Sequence, residues 1–420
     1  MLVVYLTLTA AFAILTWSDL HKGLFLLVAV LPSYLLRTEI FGFPTTLLEL
    51  LVITFLVIWL IKRGHEQWFS IKLSATHLLP LLIVTVATVS LFVAPDRLAA
   101  LGIWKAYFFE PILLFFVLKY ELSQGGFSGS RLFQSLSLCA LVLSLIVIFQ
   151  WLTGMGIPIP WDIERRVTSV FDYPNALGLF LGPIVVIAVL HLCHPERAKR
   201  AEGSQVSPSS RSLHFARLWP GFGRDDKKLF WFMVTVLSIT AIILAQSEAA
   251  IVSIVATLLI TGFLNQKTRI FSSSFLVLFV FFVFLFPPLL TKLILQDYSG
   301  SVRLSQWSET IDMLRDHWFF GAGLSGYPTV FEPYHQATHF EIFQYPHNII
   351  LNIWVELGLL GLVGFGWLIY SVLSSLRGDP SKGSTKQSSK IASLTSVARN
   401  DGMIAFFALL QMTVHGLVDV

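Results

Sequence analysis

The chain has 420 residues, 55% of them hydrophobic and only 13% charged, where an ordinary soluble domain carries about 25% charged residues. A mean hydropathy of +0.73 excludes a soluble globule, because that much apolar surface cannot be hidden in one core of this size. The net charge of +4 does not point to nucleic acid, since the basic residues sit in short loops between apolar runs and report topology first.

Apolar runs predict spans at 2–17, 22–36, 44–61, 73–94, 101–119, 132–152, 174–192, 229–245, 249–264, 271–290, 347–373 and 402–418. The expectation is an all-α fold, a polytopic transmembrane bundle of about twelve helices forming one membrane domain over 1–420. Several runs fall short of the ~20 residues of a straight span, so the first pair fits tilted or re-entrant helices as well. The first basic residue is Lys22, so the start lacks the positive region of a cleaved signal peptide, and 2–17 reads as a span. Cys139 lies inside one span and Cys193 at the end of another, which suggests neither a disulfide framework nor a zinc site.

The loops alternate in charge. Lys22, Lys62, Arg63, Lys72, Lys119, Arg131, Lys267, Arg269 and the basic stretches at 193–228 and 374–400 fall on one side. Arg37, Arg97, Lys105, Arg165, Arg166, Lys292, Arg303 and Arg315 fall on the other. The positive-inside rule makes the richer set cytoplasmic, so the 153–173 loop and the long 291–346 loop face outward. Twelve spans then place both termini outside. The 193–228 stretch, polar and aperiodic, reads as a disordered cytoplasmic insertion, and 374–400 as a flexible cytoplasmic loop.

The 291–346 loop is the outward segment long enough to build a site. Leu304, Trp307, Ile311, Leu314 and Trp318 recur at spacings of three and four, which predicts an amphipathic helix lying in the membrane interface, with Ser301 as its N-cap. Arg303, in the first turn, gains nothing from the helix dipole, and fits either a lipid-phosphate contact or an anion-binding residue. Gly321, Gly323 and Gly326 match G-x-G-x-x-G, but the flanks are not a βαβ unit, so the glycines read as a tight turn. His335 and His339 stand four apart with Glu332 and Glu341 nearby, too common a pattern to define a metal site. His347 follows Pro346 and opens a span at the outward boundary, where Pro346–His347–Asn348 works as a helix start; the imidazole is either a cap or a proton acceptor. Glu356 lies deeper in that span and reads as structural.

Arg165 and Arg166 are adjacent in the other outward loop, against the positive-inside bias. Guanidinium forks suit a doubly anionic ligand such as a diphosphate, and lipid headgroups are the plainer reading. Lys105, near the outer boundary, and His415 and Asp419, at the end of the last span, are further candidates for the same cavity.

In order, these residues resemble the O-antigen ligase and O-antigen polymerase superfamily. The resemblance rests on Arg303, Trp307, Gly321-x-Gly323, His347-Asn348 and Glu356-x-Gly358-Leu-Leu-Gly361. It is supported by Arg166-Val-x-Ser169-Val-Phe171-x-x-Pro174-Asn175 and by His415-Gly-Leu-x-Asp419. It implies a multi-span protein of the cytoplasmic (inner) membrane with its site at the periplasmic or outer face. It also implies a polyprenyl-diphosphate-linked glycan as donor, a glycan or lipid hydroxyl as acceptor, membrane lipids as surroundings, and no metal or nucleotide cofactor. Relatives often carry Ser-Arg-Gly-Ala where this chain has Ser247-Glu248-Ala249-Ala250, so the role of that arginine passes to Arg165, Arg166 or Lys105.

The expected chemistry is an inverting glycosyl transfer with His347 as base and Arg303 on the diphosphate. Arg165, Arg166, Lys105, Asn348, Trp307 and His415 bind substrate in this reading. A secondary transporter of an anionic solute or lipid, with paired broken helices, and a non-catalytic envelope-assembly scaffold are the alternatives.

Overall fold

The computed structural model describes residues 2–40, 42–63, 75–124, 127–193, 224–264, 268–285, 291, 295–296, 298–336, 341–377 and 389–417. Most of the 193–228 insertion, the 378–388 part of the 374–400 loop, Lys72, Lys292, His339 and Asp419 lie outside the described residues.

The apolar runs form helices, as their composition requires: α1 (Leu2–Ser18), α2 (Leu20–Ala29), α3 (Leu47–Arg63), α4 (Ala75–Val93) and α5 (Arg97–Ser123). They continue as α6 (Gly129–Thr153), α7 (Pro174–Cys193), α8 (Arg224–Leu244), α9 (Glu248–Leu264) and α10 (Arg269–Leu285). The 291–346 segment holds α11 (Tyr298–Asp316) and the short α12 (Tyr327–Phe331), followed by α13 (Ile349–Arg377) and α14 (Ser389–Gly416). Among the described residues, α5, α6, α7, α8 and α13 are long and apolar enough to cross a membrane. The apolar parts of α1, α2, α4, α9 and α10 are shorter than a straight span needs. The molecule is therefore an all-α, multi-pass membrane protein.

Local chemistry explains the helix ends. Asp19 caps α2 by accepting from the backbone N–H of His21 and Lys22. In α3, Glu49 stands in the first turn and Lys62 and Arg63 in the last, each complementing the helix dipole. Between α2 and α3 the chain makes two short antiparallel strands, β1 (Arg37–Ile40) and β2 (Phe43–Thr46), pairing Arg37 with Thr46 and Ile40 with Phe43. This region was expected to be a loop and the start of a span.

The chain packs as two compact units. The first contains Met1–Ser128, Leu259–Arg377 and Thr413–Val420, and the second Gly129–Leu258 and Gly378–Met412. In the first, a buried carboxylate ties three helices. Glu121 of α5 accepts from Trp59 Nε1 at 2.8 Å, meets His21 Nε2 at 3.0 Å, and stands 3.8 Å from Arg63. Burying a charge is tolerated when it is paired and hydrogen-bonded, as here. In the second, α8 packs on α6 and α7. Gln411 of α14 donates to Ser253 Oγ of α9 at 2.9 Å, a polar contact of the kind that joins helices in lipid.

Candidate active site

The segment before α13 packs against a break in that helix. α13 loses its helical backbone at Gly358, whose φ is +66°, a conformation glycine adopts without the clash a side chain brings. The glycine-rich turn after α11 fills the break. Ala322 N–H donates to Val355 O at 2.7 Å, Leu359 N–H to Phe319 O at 3.0 Å, and Trp354 Nε1 to Trp318 O at 2.7 Å. Ser90 Oγ donates to Glu356 O, and the Glu356 carboxylate takes the N–H of Ser325. Gly321 (φ +69°) approaches so closely that a Cβ there would overlap Val355 O. The G-x-G-x-x-G spacing is thus a backbone-packing device, and Glu356 meets it from the helix side. The carbonyls freed by the break are answered by protein donors, as a lipid environment demands.

α11 carries the arginine and grips the histidine. The helix begins at Tyr298, so Ser301 is not its N-cap: the hydroxyl lies inside the first turns and donates to Tyr298 O at 2.7 Å. The expected apolar stripe divides. Leu314 is buried with Met313, while Leu304, Ile311 and Trp318 are exposed. Thr310 and the buried Tyr327 share a 2.7 Å hydroxyl contact that seats the glycine turn on α11. Burial raises the pKa of that phenol above its ordinary value and keeps it neutral.

One turn after the half-buried Arg303, Trp307 Nε1 donates to Pro346 O at 2.8 Å, and the neighbouring Gln306 Nε2 reaches Tyr345 O at 3.4 Å. Arg303 and Trp307 are four apart and so share a helix face. The next residue is His347, half-buried, with φ +49°. Its ring sits edge-on to Phe343 at 4.9 Å and to Tyr345 at 5.1 Å. A non-glycine residue in the left-handed region is uncommon and persists only when its surroundings hold it. Here Trp307 and Gln306 hold the preceding carbonyls. Asn348 holds the other side: its Oδ1 accepts from Ile350 and Leu351 N–H, capping α13, and its Nδ2 donates to Leu417 O at 2.9 Å. His415, fully buried, lies two residues before that carbonyl.

The structure therefore brings Arg303, Trp307, His347, Asn348 and the His415–Leu417 segment into one connected arrangement. Trp307 and Asn348, expected to bind substrate, have their hydrogen-bonding groups engaged in positioning His347. Replacing Trp307 by phenylalanine keeps the ring and removes one neutral hydrogen bond. We expect kcat/KM for transfer to fall roughly three- to tenfold at unchanged membrane abundance. Transfer kinetics beside an immunoblot check this, and an unaltered rate would contradict the positioning role.

Lys105 is engaged elsewhere. It sits in a π-helical turn of α5, Trp104–Phe109, and its Nζ meets Glu49 Oε1 at 2.6 Å. His335 Nδ1 turns to Glu309 Oε2 at 3.0 Å. Gln306, Phe343 and Tyr345 shape the histidine's surroundings and were missed from sequence, because nothing in their spacing announces a contact 39 residues away.

The second unit holds Arg165 and Arg166. Gln150, buried at the end of α6, organises their loop: Nε2 donates to Gly156 O and Ser169 O, both at 2.7 Å, while Oε1 accepts from Thr168 and Ser169 N–H. Arg165 is exposed and has φ +50°. Arg166 lies over the Trp161 ring at 4.8 Å and donates to Ala245 O and Gln246 O, both at 3.4 Å. Those carbonyls belong to the turn before α9, whose first residue is Glu248. A carboxylate suits that helix N-terminus better than a cation does, and the guanidinium arrives from the 153–173 loop instead.

Residues 233–366, just under a third of the chain, match the family model described as O-antigen ligase. The match supports assigning the chain to the O-antigen ligase and polymerase superfamily. It spans Glu248, Arg303, Trp307, the glycine turn, His347, Asn348 and Glu356. Arg165, Arg166, Lys105 and His415 lie outside it. No curated protein matches the chain significantly.

Proposed function

We propose, from the O-antigen ligase domain that residues 233–366 carry, that this protein moves a glycan from a polyprenyl-diphosphate donor to an acceptor hydroxyl. The reaction takes place at the outer face of the cytoplasmic membrane. The observation that carries the reading is the hold of the arginine-bearing helix on the histidine peptide, through Trp307 Nε1 and Pro346 O. It couples a cation and an imidazole in one outward segment. The exposed line of Leu304, Ile311 and Trp318 supports an interfacial position for α11, where a lipid-linked diphosphate would present itself.

In this reading the acceptor oxygen attacks the anomeric carbon, its proton passes to His347, and the bond from that carbon to the diphosphate breaks. The diphosphate leaves with the bonding electrons, and Arg303 offsets the charge gathering on its oxygens. The donor bond is already activated, so positioning and charge stabilisation suffice, and the reaction proceeds without a metal.

Arg303→Ala is expected to lower transfer by roughly 100- to 1,000-fold, the loss typical of one preorganised charge-stabilising donor. Arg303→Lys restores part of it as a point charge without the fork. Product formed by purified variants from a polyprenyl-diphosphate oligosaccharide is the readout. Wild-type turnover by Arg303→Ala would overturn the assignment.

A further inference from the structure

The 153–173 loop carries apolar surface beyond the end of α6. Met155 is exposed, and Ile159 and Ile163 are 85% and 82% exposed. Trp151 and Leu152, in the last turn of α6, are exposed as well. α6 is long and apolar enough to cross a membrane, so its open side chains meet lipid. The apolar surface continues from that turn past Gly154 to Met155. The loop holds one shape while showing these side chains. The Gln150 amide pins Gly156, Thr168 and Ser169, and Ile157, Val167 and Phe171 are buried. Consecutive turns join the N–H of Trp161 to Pro158 O, Ile163 to Pro160 O, Arg165 to Asp162 O and Arg166 to Trp161 O. Pro158 and Pro160 have no N–H to satisfy. A stretch whose amides are answered internally loses little when it leaves water. A loop already fixed also gives up little freedom on docking.

The charges set the depth. Asp162, Glu164 and Arg165 are exposed on either side of Ile163, and the Arg165 guanidinium reaches back beside Gly154 at the end of α6. Charged side chains stay at the headgroup level while apolar neighbours dip into the acyl boundary. Asp162, Glu164 and Asp172 stand against Arg165 and Arg166, so the loop has no positive excess to draw it to anionic lipid. We propose that this loop is a membrane-docking surface, seating Met155, Ile159 and Ile163 in the phospholipid leaflet at that end of α6 by apolar burial alone. The proposal is independent of the glycan-transfer reading.

The test reads where the loop lies. The full chain, with Cys193→Ser removing its exposed thiol, receives Met155→Cys, Ile159→Cys, Ile163→Cys or Glu164→Cys singly. Each carries an environment-sensitive fluorophore, in nanodiscs holding one chain. The first three labels are expected to show blue-shifted emission and quenching by doxyl phospholipid, with iodide in the water having little effect. The Glu164 label is expected to be quenched less by the lipid and more by iodide. Discs of phosphatidylcholine and discs rich in phosphatidylglycerol give the same pattern. Ile159→Asp combined with Ile163→Asp removes the lipid quenching at Met155. Dominant iodide quenching of the first three labels would overturn the proposal and leave the loop in water. Quenching by neither agent would overturn it by showing the surface covered by protein. Lipid quenching confined to the phosphatidylglycerol discs, or undiminished in the double aspartate variant, would overturn apolar burial as what holds the loop.

Discussion

Replacing His347 is expected to abolish glycan transfer while leaving the protein in the membrane. Loss of a positioned general base costs about 100- to 10,000-fold in rate. The backbone makes the choice of variant matter. His347 is held at φ +49°, so alanine adds strain to the loss of the imidazole. Asparagine tolerates the left-handed region and cannot accept a proton, so His347→Asn isolates the chemistry. The expected result is wild-type abundance and thermal stability for His347→Asn with no detectable product. A variant that transfers glycan within tenfold of wild type would show that the histidine merely opens α13.

The second large effect falls on stability. Gly358 has φ +66°, and a Cβ placed there would overlap the carbonyl oxygen of Phe319. Gly358→Ala therefore combines a left-handed backbone penalty of about 1–2 kcal/mol with an overpacking cost of about 1–3 kcal/mol. Against a typical total stability of about 5–15 kcal/mol, a sum of about 2–5 kcal/mol lowers the folded population visibly. Gly366, eight residues on in the same helix, has nothing within 4 Å of a built Cβ, so Gly366→Ala is the internal control. Thermal unfolding in detergent should show Gly358→Ala well below wild type and Gly366→Ala at or slightly above it. Equal melting of the two variants would mean that the glycine turn does not pack into the helix break.

These expectations differ in how far the sequence discloses them. Helices over 2–18, 129–153 and 174–193 follow directly from apolar runs bounded by polar residues, because lipid burial depends on composition alone. The strand pair at 37–46 does not, since four-residue strands carry too little alternation to stand out beside the following apolar run. The break at Gly358 is equally hidden: glycine is ordinary in membrane helices, and what unwinds this one is a turn more than thirty residues earlier in the chain. At the site, His347 was legible by position, since a proline and an asparagine flank it at the start of an apolar run. The tasks of Trp307 and Asn348 were not, because a side-chain bond to a distant carbonyl leaves no periodic trace. Lys105 is a different case. A basic residue near the outer boundary looked available to a phosphate, while the structure gives its ammonium to Glu49.

The departure at Glu248 also gains a physical account. A carboxylate in the first turn of α9 complements the helix dipole, and Arg166 brings a guanidinium to the carbonyls of Ala245 and Gln246 immediately before it. That guanidinium is carried on a loop that Gln150 fixes through four hydrogen bonds.

The central claim, glycan transfer from a polyprenyl-diphosphate donor, is tested most directly by the purified wild-type protein, a polyprenyl-diphosphate oligosaccharide, and a panel of glycan and lipid-linked acceptors with EDTA present. The account predicts a lengthened or transferred glycan, with release of polyprenyl diphosphate in equal amount. A well-folded preparation that forms no product with any acceptor and releases no polyprenyl diphosphate would contradict it.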